Sequence, residues 1–286
     1  MYSISKFIKI NSFAKVNLSL NVVSRLKNNY HRIESLITFI NLKDEIYLRN
    51  SQKKNHKITF YGKFSNGIEK NNTIKKLLEI LDKNNYLNKK KFEIRIKKNI
   101  PHSSGLGGGS MNAAFLMKFL LKKYWKKNLK KNFNKIAKKI GSDVLLGDGR
   151  GNKILLKNGK VLKSNSKILL NVVVCKPNFG CTTKSIYSGL KHFTKPQYFS
   201  NNENYFNIKK LVNYKNDLEN VAFKKYSKLR VLKKYMDSLP NLLFSRMTGS
   251  GSIIIGYFNS SKSAKKANKL LKKQYKSYWS IVSKTI

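Results

Sequence analysis

The sequence predicts an α+β fold. Segments with strand-like alternation and segments with helix-like apolar spacing are both present, and they follow one another without a regular β-α alternation. At 286 residues the chain has room for one large domain or two ordinary ones. The polar segment 163–166 is the best boundary, so the expected domains are residues 1–163 and 164–286.

The N-terminal part is expected to begin with strands. Apolar alternation predicts them at residues 7–10, 16–23, 36–42 and 45–48. Asn72 or Thr73 is the predicted N-cap of a helix whose apolar residues recur at helical spacing over 74–81. A further strand is predicted at 92–96, and the apolar residues after Ser110 predict a mostly buried helix.

The remaining chain is expected to alternate less regularly between elements. The predicted elements are a helix near 133–140 ending at Gly141, a buried strand at 168–175, an irregular surface excursion at 188–213, helices from 216 and at 227–235, a strand at 253–255 and a final helix at 263–275.

The most informative segment is residues 101–110, PHSSGLGGGS, which joins a predicted strand to a predicted helix. Glycines let successive N–H groups converge, and the first turn of a helix leaves its N–H donors unpaired, so a phosphate is the natural occupant. The Ser110 hydroxyl could touch a phosphate oxygen or a metal ion. A tight turn of small residues that only packs is the structural alternative.

Two better-known glycine loops do not fit this segment. A P-loop ends in Gly-Lys-Ser/Thr, whereas Gly109 is followed by Ser110 and Met111. A dinucleotide fingerprint needs an acidic residue about 20 positions further on, and none stands between Ser110 and Asp143.

Composition limits the class of protein. No run of about 18 apolar residues predicts a transmembrane helix, and the N-terminus lacks the pattern of a secretory signal, so the expected location is the cytoplasm. Cys175 and Cys181 are too few for a disulfide scaffold or a zinc site, and both are expected to be reduced and packed.

The net charge of +47 could indicate nucleic-acid binding. Only seven of the 60 basic residues are arginine, the residue that forks onto phosphates and reads guanine edges. The excess of lysine therefore argues against specific nucleic-acid recognition, and no nucleic-acid partner is expected. The positive field favours anionic ligands in general.

Two side chains are candidates for chemistry. Between Glu93 and Glu203 the only acidic residues are Asp143 and Asp148, so few carboxylates near the glycine segment could act as a general base. An N-cap or turn role is the alternative for Asp143. Lys15 stands inside an apolar alternation, and an ordinary solvated lysine is its alternative.

Six motifs occur in the order and approximate spacing of the GHMP kinases, and the chain resembles that family over nearly its whole length. They are Ala14-Lys15-Val16-Asn17-Leu18, Tyr30-His31, the segment 101–110, Gly141-Ser142-Asp143-Val144, Asn216-Asp217-Leu218-Glu219 and Met247-Thr248-Gly249-Ser250-Gly251-Ser252. The resemblance implies the two-domain GHMP kinase architecture, with an N-terminal mixed α/β domain that carries the glycine loop and a C-terminal ferredoxin-like α+β domain.

The resemblance also implies an activity, the ATP-dependent phosphorylation of an alcohol on a cytidine-bearing small molecule. Asp143 matches the catalytic base, and Lys15 matches the lysine beside it that keeps the base ionised. The residues matching the ATP-phosphate site are Pro101, Ser103, Ser104, Gly105, Leu106, Gly107, Gly108, Gly109 and Ser110, with Ser110 also as the expected contact of Mg²⁺. The residues matching the acceptor site are Asn17, Tyr30, His31, Thr182 (or its neighbour Thr183), Gly249, Ser250 and Gly251.

The chain departs from the family pattern at a few positions. Arg32 stands where the family usually has Glu after Tyr-His, and Ser104 and Met111 replace small residues that flank the loop glycines. Residues 144–149 replace the expected Pro-Phe-Phe after Asp143. The alternatives are a mevalonate-type or homoserine-type kinase and, from another class, a basic nucleic-acid-binding protein. A monomer or weak dimer is expected.

Overall fold

The computed structural model describes residues 6–27, 30–200 and 204–286. Its strands are β1 (Ile8–Asn17), β2 (Asn21–Arg25), β3 (His31–Ser51), β4 (Lys57–Tyr61), β5 (Lys91–Lys97), β6 (Lys153–Leu155), β7 (Val161–Lys163), β8 (Asn171–Lys176), β9 (Phe244–Met247), β10 (Ile254–Phe258) and β11 (Trp279–Lys284).

The helices are α1 (Thr73–Lys83), α2 (Gly108–Leu120), α3 (Leu129–Ile140), α4 (Thr183–Ser188), α5 (Ile208–Asn213), α6 (Leu218–Lys225), α7 (Ser227–Asp237) and α8 (Ser261–Gln274). A π-helical turn, Leu121–Trp125, follows α2, and a 3₁₀ helix, Ser142–Gly147, follows α3. None of the helices in the described ranges is both long enough and apolar enough to cross a membrane.

The chain forms two compact units. The first comprises Met1–Ala14, Leu42–His102 and Gly107–Arg150, and the second comprises Lys15–Asn41, Ser103–Leu106 and Gly151–Ile286. Neither unit is continuous in sequence, because β1 and β3 each contribute residues to both. The predicted domains, residues 1–163 and 164–286, stay a prediction.

The first unit is a sheet covered by helices. In it β5 pairs in parallel with β4 and antiparallel with residues 45–51 of β3. Apolar side chains of this sheet pack against α1, α2 and α3 in one core, since each helix presents buried residues at helical spacing. The Asn72 side chain accepts hydrogen bonds from the backbone N–H groups of Ile74 and Lys75, which confirms it as the N-cap of α1.

The second unit contains a four-stranded antiparallel sheet in the order β11-β8-β10-β9. In chain order β8 is followed by helices, by β9 and β10, by α8 and by β11, which is the ferredoxin-like arrangement. Buried residues of α6, α7 and α8 cover this sheet. In the same unit β6 pairs with β7 and with residues 35–37 of β3, and β2 pairs with the start of β3. The predicted α+β class is confirmed.

Three local predictions differ from the structure. The two strands predicted at 36–42 and 45–48 are one strand, β3, because Asp44, one of the two polar residues between them, is buried and hydrogen-bonded and the chain does not turn there. The strand predicted at 16–23 is divided between β1 and β2. The predicted surface excursion at 188–213 contains α5 and the buried Tyr198, while its residues 201–203 lie outside the described residues.

Candidate active site

The glycine segment leads into the N-terminus of α2. Gly107 is the N-cap residue in a left-handed conformation, with φ of 69°, which favours glycine. Gly108, Gly109 and Ser110 form the first turn, where the backbone N–H groups are not used by the helix and the positive end of its dipole lies. The predicted order of strand, glycine loop and helix is confirmed, and it forms a cradle suited to an anion.

The first part of the same segment is anchored in the second unit. Leu106 is fully buried, and its carbonyl oxygen accepts a hydrogen bond from the backbone N–H of Lys15 at 3.1 Å. Gly105 has φ of +79°, and a Cβ there would lie 2.0 Å from the carbonyl oxygen of Thr248. At Gly105 the lack of a side chain therefore serves a close approach to another backbone segment, whereas the prediction was approach to a phosphate.

Lys15 is buried, with 4% of its surface exposed, so the alternative of a solvated lysine is wrong. Its Nζ donates to Oδ1 of Asn17 at 2.8 Å. The neighbours Ala14 and Val16 are fully buried, which explains how β1 carries an ammonium group into the interior. A buried ammonium requires hydrogen-bond partners, and Asn17 supplies one.

Asn17 links Lys15 to two other parts of the second unit. Its Nδ2 donates to Oγ of Ser35 at 2.8 Å, and its backbone N–H donates to Oγ1 of Thr248 at 3.0 Å. Because Oδ1 accepts from Lys15 and Nδ2 donates to Ser35, both ends of the Asn17 side-chain amide have protein partners. The structure places Asn17 as a support for the Lys15 ammonium, and its predicted contact with substrate stays a prediction.

The segment 247–252, which we call the third motif, is held by Asn216. Nδ2 of this buried side chain donates to the carbonyl oxygens of Met247 and Gly249, both at 2.8 Å. Oε1 of Glu219 accepts from the backbone N–H of Met247 at 2.6 Å. The Asn-Asp-Leu-Glu sequence identified the family without indicating a role, and the structure shows that two of its side chains position the third motif.

Thr182 and its neighbour Thr183 are the two candidates for the predicted hydroxyl contact of the acceptor site. Thr182 is the exposed residue that precedes α4, and within the described residues its side chain does not cap that helix. Oγ1 of Thr183 lies 2.9 Å from Oγ of Ser250 in the third motif. Thr182 stays a prediction, and Thr183 is the neighbour that the structure brings to the third motif.

His31 lies among aromatic rings at the start of β3. Its ring centroid lies 5.0 Å from that of Tyr187 and 6.3 Å from that of Phe193. Partial burial, and secondarily the charge of Arg25, lower the pKa of His31, which favours the neutral form of the imidazole. Tyr30 is 73% exposed, which leaves its ring accessible to a ligand.

Tyr187 and Phe193 were not predicted as site residues. Their only signal in the sequence is aromatic character inside a helix and a polar excursion, and neither position is near Tyr30-His31 in sequence. The pair of a hydrogen-bonding imidazole and surrounding aromatic faces is suited to holding a nucleobase by stacking.

Asp143 is half-buried and lies in the 3₁₀ helix Ser142–Gly147. It is not the N-cap of this helix, because that position belongs to Gly141. This short helix packs on α2, and a Cβ at Gly147 would lie 2.2 Å from Cβ of Ala114. Val144 and Leu146 are buried, which explains how apolar residues can replace the family's Pro-Phe-Phe. The first unit therefore fixes Asp143 relative to α2, the helix that begins at the glycine loop.

The predicted neighbour relation of Asp143 and Lys15 stays a prediction, since the two residues belong to different units. Asp148 lies near the Lys118 ammonium, with 3.6 Å between Oδ1 and Nζ. Arg32, the departure from the family pattern, is exposed.

The residues present fit a magnesium ion that arrives with a nucleotide. Mg²⁺ keeps several waters and is held by few protein oxygens together with substrate phosphates. Ser110 offers a half-buried hydroxyl oxygen in the first turn of α2. Across the described residues there is no group of three or more His, Cys, Asp or Glu side chains that could hold a metal unaided.

Sequence comparison gives matches over both halves of the chain. Residues 72–152 match the N-terminal domain of GHMP kinases, and residues 201–277 match the C-terminal domain. A 4-diphosphocytidyl-2-C-methyl-D-erythritol kinase from Pelagibacter ubique is 50% identical over 278 residues, which cover 97% of this chain and 99% of that protein.

Solved structures show the same fold at lower identity. A crystal structure of 4-(cytidine 5'-diphospho)-2C-methyl-D-erythritol kinase superposes with a TM-score of 0.77 at 23% identity, covering 98% of this chain and all of that one. Homoserine kinase from Cytophaga hutchinsonii superposes with a TM-score of 0.69 at 19% identity, covering 100% of this chain and 96% of that one. From the domain matches and the 50% identical relative, the chain belongs to the GHMP kinase family, and within it to the 4-diphosphocytidyl-2-C-methyl-D-erythritol kinases.

Proposed function

We propose that this kinase transfers the γ-phosphoryl group of ATP to the 2-hydroxyl of 4-diphosphocytidyl-2-C-methyl-D-erythritol, a step in the non-mevalonate route to isoprenoid precursors. The observation that carries the proposal is the arrangement in the first unit, where the 3₁₀ helix bearing Asp143 packs on α2 and α2 begins at the glycine cradle. A carboxylate fixed on the element that holds phosphates is suited to deprotonate a hydroxyl.

In the proposed reaction the 2-hydroxyl oxygen attacks the γ-phosphorus, the bond to the β,γ-bridging oxygen breaks, and ADP leaves. Asp143 accepts the proton of the hydroxyl. Lys15 offsets the negative charge that develops on the attacking oxygen. Phosphoryl transfer requires mainly positioning and charge neutralisation, which backbone N–H groups, one ammonium and one carboxylate can supply.

The nucleotide phosphates are proposed to lie on residues 105–110. When bound with ATP, Mg²⁺ would neutralise charge on the phosphate oxygens, and the Ser110 hydroxyl is the residue proposed to hold it.

The acceptor is proposed to be held in the second unit. Tyr30 stacks on the cytosine, and the neutral His31 hydrogen-bonds to the base edge. The exposed face of Tyr30 and the rings around His31 support this assignment. Asn17, Thr182, Gly249, Ser250 and Gly251 stay proposed contacts of the acceptor. The cytoplasmic location and a monomeric or weakly dimeric state stay predictions.

Steady-state kinetics with ATP and 4-diphosphocytidyl-2-C-methyl-D-erythritol test the proposal, with CDP as inhibitor. CDP is expected to compete with the acceptor and not with ATP, because it carries the cytidine diphosphate but lacks the erythritol moiety whose 2-hydroxyl is phosphorylated. Absence of inhibition at millimolar CDP would overturn the cytidine site. Turnover of mevalonate or homoserine in place of this acceptor would favour the activity of the other GHMP kinases. Binding of a nucleic acid with an affinity that falls steeply with salt would favour a nucleic-acid-binding protein.

A further inference from the structure

A buried carboxylate lies in the first unit at the middle of β3. Asp44 has no exposed surface and accepts hydrogen bonds from four groups. Oδ1 accepts from the backbone N–H groups of Asn99 and Ile100, at 2.7 and 2.8 Å. Oδ2 accepts from Nδ2 of Asn112 at 2.9 Å and from the Lys98 ammonium. The proposed reaction gives Asp44 no role.

The partners of Asp44 lie on both sides of the glycine segment. Asn99 and Ile100 come directly before it, after the end of β5, whereas Asn112 lies one turn inside α2. One carboxylate therefore holds the chain that leads into the segment and the helix that leads out of it. Residues 101–111 lie between these anchors, and they include the N-terminus of α2 that forms the cradle.

Ile100 and Lys98 also lie directly against the start of α2. A Cβ at Gly108 would lie 3.0 Å from Cγ2 of Ile100 and 3.4 Å from Nζ of Lys98. Because Asp44 fixes both of these residues, it also fixes what the first residue of α2 packs on. The position of the N–H groups in the first turn thus depends on the Asp44 side chain.

The ion pair is costly to bury. Asp44 has no exposed surface and Lys98 has 3%, and a buried pair of this kind is often no more stable than apolar residues of the same size. The four hydrogen bonds that the Asp44 carboxylate accepts are the kind of contact that makes the burial of its charge tolerable. The contacts of Asp44 therefore serve to fix the positions of the groups around it more than to stabilise the fold.

We propose that Asp44 is a positioning residue for nucleotide binding, which acts through Asn112 and through the backbone of Asn99 and Ile100 to hold the glycine segment in its binding form before the nucleotide arrives. This inference rests on the proposed function, in which residues 105–110 hold the phosphates of ATP. Loss of the contacts should weaken the binding of ADP and ATP and leave the acceptor site unchanged.

Titration calorimetry with ADP is the direct test, using the full chain. Asn112→Ala removes the contact to α2 and keeps the ion pair, so we expect ADP to bind about tenfold more weakly. The double variant Asp44→Asn/Lys98→Met removes both charges together, which avoids an unpaired buried ammonium, and should weaken ADP binding at least as much. Both variants should bind CDP with the affinity of the unchanged protein.

Asp82→Asn is the matched control. Asp82 also pairs with a lysine of β5, Lys91, and with His56, at the opposite end of that strand from the glycine segment. It should lower the free energy of unfolding without changing ADP affinity. In turnover, Asn112→Ala should raise KM for ATP with kcat and the acceptor KM nearly unchanged, a split that a general loss of folded protein would not produce.

The outcomes separate the two proposals. If the unchanged protein binds ADP and both loop-anchor variants bind it equally well, the positioning role is wrong and the proposed function stands. If Asp82→Asn weakens ADP binding as much as Asn112→Ala, the role of Asp44 is only structural. If the unchanged protein binds no ADP, the proposed function fails, and this inference fails with it.

Discussion

The central glycine segment, residues 101–110, and the third motif, residues 247–252, are held by different arrangements of hydrogen bonds. The first is anchored at its two ends by a charged group, the Asp44 carboxylate. The third motif is held over its first three residues, where the Asn216 amide donates to the carbonyl oxygens of Met247 and Gly249 and the Glu219 carboxylate accepts from the backbone N–H of Met247.

This difference indicates different tasks. Anchoring the ends leaves the N–H groups of the first segment available, which suits a phosphate cradle. Anchoring the carbonyls fixes the peptide planes of the third motif, and at Gly105 the two segments approach so closely that a Cβ would lie 2.0 Å from the Thr248 oxygen. The first segment should therefore serve the nucleotide, and the third motif should serve the acceptor and support the first.

The largest effect should come from a residue outside both segments. Neither segment contains a carboxylate, so the general base that accepts the proton of the acceptor hydroxyl is assigned to Asp143. Asp143→Asn should lower kcat about 1,000-fold while ADP and CDP affinities stay unchanged, because only the general base is lost. Single-turnover measurement with saturating substrates checks this, with Asp148→Asn as the control. A variant that keeps more than about a tenth of the turnover would show that Asp143 is not the base.

The contact between the two segments gives the next largest effect. In Gly105→Ala the new methyl group would collide with the Thr248 carbonyl, so we expect kcat/KM for ATP to fall at least about 100-fold. Gly159→Ala is a matched control, since its φ is also +79° and, among the described residues, no heavy atom lies within 4 Å of the added Cβ. The control should lose about 1–2 kcal/mol of stability from backbone strain and keep its activity. Equal effects of both changes on activity would remove the argument for close approach.

The support of the third motif can be tested with an isosteric change. Asn216→Asp replaces a donor with a carboxylate oxygen facing two carbonyl oxygens, and should raise the acceptor KM roughly 50-fold, with ADP affinity much less affected. Asn152→Asp is the control, because Asn152 is also buried and donates to a carbonyl oxygen, that of Ser166, which is not part of the motif. An equal loss of ADP and CDP binding in Asn216→Asp would contradict the division of tasks.

The smallest effect is expected at the residue proposed to stack on the cytosine of the acceptor. Stacking on an aromatic ring contributes about 1–3 kcal/mol, and because Tyr30 is largely exposed, Tyr30→Ala should weaken CDP binding roughly tenfold. Tyr61→Ala, which removes another exposed tyrosine, should leave CDP binding unchanged. Calorimetry with CDP and ADP distinguishes the two variants. If Tyr30→Ala binds CDP normally, the assignment of this ring to cytosine is wrong.

The parts of the site that the sequence predicted are those determined locally. The order of strand, glycine loop and helix follows from periodicity and glycine content within about 30 residues, and the Asn72 cap follows from a single residue type at a helix start. The buried position of Lys15 could only be guessed, because in a lysine-rich chain the type of residue carries little information.

The parts that escaped prediction depend on partners distant in sequence. Residues 43 and 44 separated two predicted strands, because the partners that bury Asp44 begin 54 residues further on in the sequence. The closeness of Gly105 to Thr248 joins residues 143 apart, and the rings around His31 come from α4 and from a segment that resembled a polar loop. Periodicity within a short window contains no information about such contacts.

The central claim is that this kinase phosphorylates one alcohol, the 2-hydroxyl of 4-diphosphocytidyl-2-C-methyl-D-erythritol. The most direct measurement is phosphorus NMR of a single reaction that contains ATP, Mg²⁺ and equal amounts of that compound, mevalonate and homoserine. We expect one new phosphate monoester, on the 2-hydroxyl of the cytidine compound, with its diphosphate intact. A monoester on mevalonate or homoserine, or consumption of ATP without any ester, would contradict the claim.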